Sequence, residues 1–207
     1  MAIKVAVNRA LTAITALPTA AALTDGNLTL LTTATASSSA TLSFASNINS
    51  TYNSYLFKFI NIHPETDTAN FTVGFRDGGT DYDATKTTTY YRAYHSEADT
   101  TAFGYKTDQD LAQSTGFQNL CYSLDGDADG NTAGYLHLFN PSSTTFVKHF
   151  IARTSCVHSA PEAHDSYIAG YCNTTTAIDG VQFKMSSGNI DAGIIKMYGV
   201  GDKQSWL

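Results

Sequence analysis

Charged side chains are scarce in this sequence. Asp, Glu, Lys and Arg make up only 14% of the 207 residues, whereas an average globular protein has about 25%. The formal net charge is -6, and no run of Lys and Arg occurs. Because nucleic-acid-binding proteins need a basic face, we expect no nucleic-acid partner. A surface that is covered mainly by Thr, Ser, Asn and Gly instead favours packing against neighbouring proteins.

Aromatic residues are missing from the N-terminal part of the chain, where Phe44 is the first. Aromatic side chains dominate core burial, so residues 1–40 are predicted to form an extended arm outside the core. The arm could contain one short helix at Val7–Ala16. The alternative interpretation of this segment is an edge strand followed by a loop. The remaining residues, 41–207, are predicted to form one domain.

Long hydrophobic runs are missing as well. The apolar stretch Leu11–Leu23 contains three threonines and Pro18. No stretch of the chain reaches the roughly 20 apolar residues of a membrane span. We therefore expect neither a membrane span nor a signal peptide, and we expect synthesis in a reducing cytoplasm.

Only three cysteines are present: Cys121, Cys156 and Cys172. Their odd number and the absence of a Cys-x-x-Cys spacing predict neither a disulfide framework nor a zinc knuckle. Disulfides are rare in cytosolic proteins, so all three are predicted to be buried or half-buried free thiols. Cys156 and His158 would lie on one side of a predicted strand, but no short ligand spacing marks a zinc site there.

The sequence motifs of common enzyme classes are absent. There is no GxSxG elbow, P-loop, GxGxxG turn or HExxH pair, each of which places a reactive or phosphate-binding group at a fixed position. The chain has only three glutamates, Glu65, Glu97 and Glu162, and its aspartates lie mostly in turn-like segments. No acid–base pair for glycoside hydrolysis stands out. We therefore expect a protein that is not an enzyme and has no obligate cofactor.

Alternating apolar and polar residues dominate the rest of the chain. This period-2 pattern predicts strands, and turn residues separate the strands at short spacing. The predicted strands are 41–44, 54–62, 70–76, 87–94, 116–124, 134–140, 145–157, 166–172, 180–185 and 193–200. Of these, 134–140 and 145–157 should pair as a hairpin. A weak helical pattern occurs at Asp108–Ser114. Eight to ten strands indicate an all-β fold, a single β-sandwich or jelly-roll-like domain after the arm.

The sharpest local motif is the segment 125–131, with the sequence DGDADGN. Asp125, Asp127 and Asp129 occupy positions one, three and five of a calcium loop, and a glycine follows at position six. Position twelve is Leu136, where such a loop needs a bidentate glutamate. Calcium is therefore the candidate ion, and the alternative is a solvated hairpin loop, because Asp and Gly also favour turns.

Tyrosine is abundant, with twelve residues in the chain. Tyr90, Tyr91, Tyr94 and His95 are close in sequence and are candidate interaction residues, because tyrosine offers rigid amphipathic area at interfaces and for stacking on sugars. The alternative is that these tyrosines reflect strand propensity and packing at the core edge.

Several segments together resemble a known protein family. They are Ser54–Pro64 (SYLFKFINIHP), Asp77–Gly79 (DGG), Leu136–Ser143 (LHLFNPSS), Val147–Ala152 (VKHFIA) and Phe183–Val200 (FKMSSGNIDAGIIKMYGV). Over roughly residues 40–200, the chain resembles virion-associated structural proteins of marine bacteriophages, of the cyanophage and pelagiphage type. The resemblance implies a jelly-roll-like domain in a virion protein that is made in the host cytoplasm, and it implies no catalytic residues.

Two roles in a phage particle compete. The expected role is a capsid decoration or cement subunit on the particle surface, with major capsid proteins or other virion proteins as partners. The alternative is a tail or fibre module that attaches to the particle and binds host-surface glycans. Either role favours a homo-oligomer, and a trimer is the first expectation.

Overall fold

A computed structural model of the chain describes residues 28–201. Twelve β-strands and no helix are found in this range, which confirms the predicted all-β class. The strands are β1 (Leu28–Ser39), β2 (Leu42–Phe44), β3 (Ser54–Pro64), β4 (Phe71–Arg76), β5 (Lys86–Ser96), β6 (Thr101–Tyr105), β7 (Gln118–Cys121), β8 (Thr132–Phe139), β9 (Lys148–His158), β10 (Glu162–Cys172), β11 (Gly180–Met185) and β12 (Ile190–Val200). Between residues 28 and 201 there is accordingly no helix that could cross a membrane.

The strands form two antiparallel sheets packed face to face. The large sheet has eight strands in the order β1-β12-β3-β8-β9-β10-β5-β6, and the small sheet has four in the order β2-β11-β4-β7. From β2 to β11 the chain passes repeatedly between the sheets, as it does in a jelly roll. The predicted β-sandwich is therefore confirmed, and the large sheet carries additional strands beyond the usual four.

The core between the sheets is built around Phe183 of β11. Its ring lies 5.2 Å from that of Phe59, 5.5 Å from that of Phe57, 5.8 Å from that of Phe71 and 6.0 Å from that of Phe44, measured between centroids. All five side chains are buried. Aromatic pairs at these separations stabilise a fold beyond the effect of burying apolar area. This cluster is therefore the main packing contact between the two sheets.

Strand alternation explains which face each side chain occupies. On β9, inward residues from Lys148 to Cys156 are buried at every second position, and the residues between them are exposed. On β4, Phe71, Val73 and Phe75 face the core as predicted. The predicted hairpin is also confirmed, because β8 pairs with β9 in antiparallel register.

Three expectations about secondary structure need correction. Leu28–Ser39 was assigned to the arm, but it forms β1 and pairs with β12 at the edge of the large sheet, as in the alternative interpretation of an edge strand. An edge strand needs no aromatic side chain, so the composition favoured the arm. Residues 1–27, with the helix predicted at Val7–Ala16, lie outside the described residues. Asp108–Ser114 forms turns and bends instead of a helix, and β6 was missed.

The cysteine prediction is wrong for two of the three residues. Cys121 of β7 and Cys156 of β9 form a disulfide with an S–S distance of 2.02 Å, across a sequence separation of 35. The bond joins the small sheet to the large one. No short cysteine spacing in the sequence predicts this disulfide, because the two cysteines meet only when the sheets pack.

Two lysines lie inside the sandwich on either side of Cys172. Lys86 and Lys148 are its direct cross-strand partners, and both are 0% exposed. Their ammonium groups donate to the backbone carbonyls of Gly116 at 2.7 Å and Thr176 at 2.6 Å. Burial lowers the pKa of both lysines and raises the pKa of the Cys172 thiol to about 12. Cys172 is therefore a protonated, buried free thiol, as predicted.

Candidate functional site

A row of aromatic side chains crosses the outer face of the large sheet. Tyr135, Arg153, Tyr167, Tyr91 and Tyr105 lie on five adjacent strands, and each is the direct cross-strand partner of the next. Direct partners in a sheet have Cβ atoms only about 4.5–5.5 Å apart. The five side chains therefore form one continuous strip, which we call the tyrosine row.

The tyrosine row is open to solvent. Tyr91 and Tyr105 are each 41% exposed, and Tyr135 and Tyr167 are each 40% exposed. Next to the row, Phe103 is 72% exposed. Ile151, which is 48% exposed, adds to the patch because it lines the same depression as the tyrosines. Contiguous exposed apolar surface on a folded protein is a mark of an interaction site.

Contacts within the tyrosine row hold its side chains in place. The Tyr91 ring packs edge-on against Tyr105 at 5.0 Å and stacks on Phe103 at 6.3 Å. The Arg153 guanidinium lies 4.7 Å from the centroid of the Tyr167 ring and forms an ion pair with Asp165 at 2.6 Å. Side chains that are ordered before binding lose less entropy when a partner docks.

The electrostatics of this face follow from the same contacts. The Arg153 guanidinium lowers the pKa of the Asp165 carboxyl, which also accepts a hydrogen bond from the Tyr167 hydroxyl at 2.9 Å. The hydroxyl of Tyr105 donates to the Asp110 carboxylate, and this bond raises the pKa of Tyr105 to about 12. A shallow depression of about 250 Å³ lies between Tyr135, Tyr167 and Tyr91.

The four predicted interaction residues occupy different environments. Tyr91 belongs to the tyrosine row, and His95 is exposed and lies 3.0 Å from Asp99. Tyr94 is half-buried, with the guanidinium of its strand neighbour Arg92 4.5 Å from its ring centroid. Tyr90 is 0% exposed, so the expectation that it contacts a partner is wrong. Its ring points into the core because adjacent strand residues face opposite sides of the sheet.

The predicted calcium loop is a turn between β7 and β8. Asp125 accepts a hydrogen bond from the amide of Asp127 at 3.0 Å, and Gly126 donates to Asp67 at 3.1 Å. Among residues 28–201, the carboxylates of Asp125, Asp127 and Asp129 are not gathered within 4.8 Å of one another. The segment thus has the geometry of a solvated hairpin loop, which was the alternative interpretation. Calcium binding stays a prediction without a converging set of ligands.

A different set of possible ligands does converge, on the β9–β10 hairpin. His158, the last residue of β9, is the cross-strand partner of Glu162, the first residue of β10. His164 follows two positions later on the same side of β10. One ligand atom of each residue lies within 4.8 Å of the other two. Sequence reasoning singled out His158 but missed the other two residues, because a hairpin spacing of this kind is not a known ligand motif.

The hairpin cluster is half-buried at His158 and Glu162 and fully buried at His164. His164 is 1% exposed, and its Nε2 lies 2.7 Å from the Glu162 carboxylate. Burial lowers the pKa of His158, and it lowers the pKa of His164 to about 4. Within the part of the chain that the structure describes, neither Nδ1 of His164 nor the hydroxyl of Tyr122 has a hydrogen-bond partner. The two histidines are therefore neutral near pH 7.

Comparisons with known proteins assign no function to the tyrosine row or to the hairpin cluster. The resemblance to phage virion proteins therefore stays a prediction. No protein-family model, no curated protein and no solved structure matches the chain.

Proposed function

We propose that the chain is a structural subunit of a bacteriophage particle, a capsid decoration or cement subunit that acts by binding and not by catalysis. The tyrosine row is the single observation that carries this proposal. Protein interfaces are enriched in Tyr and Arg and depleted in Lys, Glu and Asp at their centre. The row has this composition, and it lies on a broad sheet face where a neighbouring virion protein can pack.

The sparse charge of the chain supports the same role. A subunit that packs side by side with neighbours buries part of its surface. Each unpaired charge on that surface would cost free energy of desolvation. The charge of Arg153 in the row is paired within the chain, by the carboxylate of Asp165. A homo-oligomer, with a trimer as the first expectation, is part of the proposal, because virion subunits are arranged symmetrically.

A second role is favoured by one part of the same face. Tyr91, Phe103 and Tyr105 meet at the edge formed by β5 and β6, and the carboxylate of Asp110 lies beside the Tyr105 hydroxyl. Aromatic rings next to a hydrogen-bonding carboxylate suit a sugar ring, which has apolar faces and hydroxyl edges. A tail or fibre module that binds host glycans is therefore the alternative.

Replacing two members of the row is expected to prevent the subunit from joining the particle. Central interface tyrosines contribute about 2 kcal/mol or more each, and 1.4 kcal/mol corresponds to a factor of about ten in affinity. We therefore expect the Tyr91→Ser/Tyr167→Ser variant to be incorporated at less than about a tenth of the wild-type level. The measurement is quantitative mass spectrometry of particles from a phage that lacks the gene, complemented with each variant.

The matched control is Phe146→Ser. Phe146 is 68% exposed but lies in the loop between β8 and β9, away from the row, so its variant should be incorporated like the wild type. Circular dichroism should show both proteins folded, because the altered side chains are outside the core. Normal incorporation of the double variant would contradict the assignment of the docking face.

A further inference from the structure

The turn between β9 and β10 places three possible metal ligands on one short segment. His158 and Glu162 face each other across the hairpin, and His164 is the next residue of β10 on the same side. Cross-strand partners and same-face neighbours are fixed by the ladder hydrogen bonds. The backbone therefore holds the three side chains together before any ion is present.

We propose that His158, Glu162 and His164 bind one divalent transition-metal ion, and that zinc is the ion that suits them best. Two imidazoles and one carboxylate are the donor set that zinc accepts in tetrahedral sites with one further position for water. Ligand atoms at about 2.0–2.1 Å from zinc are roughly 3.4 Å apart. Small rotations of side chains that already lie within 4.8 Å of one another reach this spacing.

One further observation concerns the ring of His164, whose Nε2 is the nitrogen that lies beside Glu162. The side chain is fully buried, yet its Nδ1 has no hydrogen-bond partner among the described residues. The hydroxyl of Tyr122, whose ring lies 5.4 Å from that of His164, is also without one. Buried polar atoms are nearly always satisfied in native proteins, and a bound water or ion is one explanation where no protein group serves.

Two local features oppose the ion and limit its affinity. Nδ1 of His158 lies 3.0 Å from the amide of Ala160. Coordination through Nε2 moves the ring proton to Nδ1 and breaks that contact. The guanidinium of Arg92 lies 3.3 Å from Nε2 of His164.

Arg92 matters most, because a like charge at this distance raises the free energy of the bound ion. The arginine must swing away from His164 when zinc binds. We therefore expect micromolar binding and not the much tighter binding of structural zinc sites.

The experiment is a titration of the chelator-treated full chain with ZnCl₂ by calorimetry, together with CoCl₂ by visible absorption. We expect one ion per chain and a cobalt spectrum of tetrahedral intensity. Glu162→Gln and His158→Gln should each weaken zinc binding at least about tenfold, because each removes one of three ligands. Arg92→Gln should strengthen it about tenfold by removing the opposing charge.

His95→Gln is the matched control, because His95 is an exposed histidine paired with Asp99 and lies outside the cluster. Its affinity for zinc should equal that of the wild type. The ligand variants are placed at the two less buried positions so that they fold, which circular dichroism checks. Absence of zinc binding by the wild type, or equal binding by the wild type and the ligand variants, would overturn the proposal. Neither result affects the tyrosine row, which faces the other side of the sheet.

Discussion

The Phe183→Ala variant is expected to lose about 3–5 kcal/mol of its free energy of unfolding, the range measured for buried phenylalanines. Phe183 is 0% exposed, and four other phenylalanine rings pack around it. Truncation leaves a cavity between the two sheets, and it also removes ring–ring contacts worth about 0.5–1.5 kcal/mol each. Domains are typically stable by only about 5–15 kcal/mol, so this loss is a large share of the total stability and should lower the unfolding midpoint clearly.

Urea unfolding followed by far-ultraviolet circular dichroism measures this effect. The control is Phe103→Ala, since Phe103 is 72% exposed and exposed substitutions change stability by no more than about 0.5 kcal/mol. Equal midpoints for the two variants would mean that Phe183 is not the centre of the core.

Removal of the disulfide is expected to cost about 4 kcal/mol, the chain-entropy value for a closed loop of about 35 residues. The Cys121→Ala/Cys156→Ala variant should show this loss, and its stability should no longer respond to reductant. Wild-type protein should lose a similar amount when unfolding is measured in dithiothreitol. Cys172→Ala, the control, should keep its response to reductant because Cys172 takes no part in the bond.

A thiol titration of the denatured, unreduced protein gives the direct check. One reactive thiol per chain is expected, from Cys172. Three reactive thiols would contradict the bond and restore the interpretation from sequence.

Strands were predictable from the sequence where one face of a strand is buried and the other exposed. The alternation of Phe71, Val73 and Phe75 indicated β4 directly. Leu28–Ser39 was predicted as an edge strand only in the alternative interpretation, because an edge strand with one neighbour buries little and carries no strong alternation. Thr101–Tyr105 was missed for a similar reason: β6 is the opposite edge, and its side chains are largely exposed.

The candidate sites were harder to predict, because they depend on register between strands. Tyr91 and Tyr167 are far apart in sequence and become neighbours only through the pairing of β5 with β10. Tyr90 was included by proximity in sequence, although strand geometry turns it inward. The pairing of Cys121 with Cys156 needs the packing of two sheets, which no local pattern encodes.

The proposed role of this chain is that of a decoration subunit on a phage particle. Its most direct test is the number of copies per purified particle, determined by quantitative mass spectrometry against the major capsid protein. Decoration of a symmetric shell predicts hundreds of copies, whereas a tail or fibre position predicts about six to a few dozen. Hundreds of copies would agree with the claim, a few dozen would favour the fibre module, and absence from the particle would contradict both.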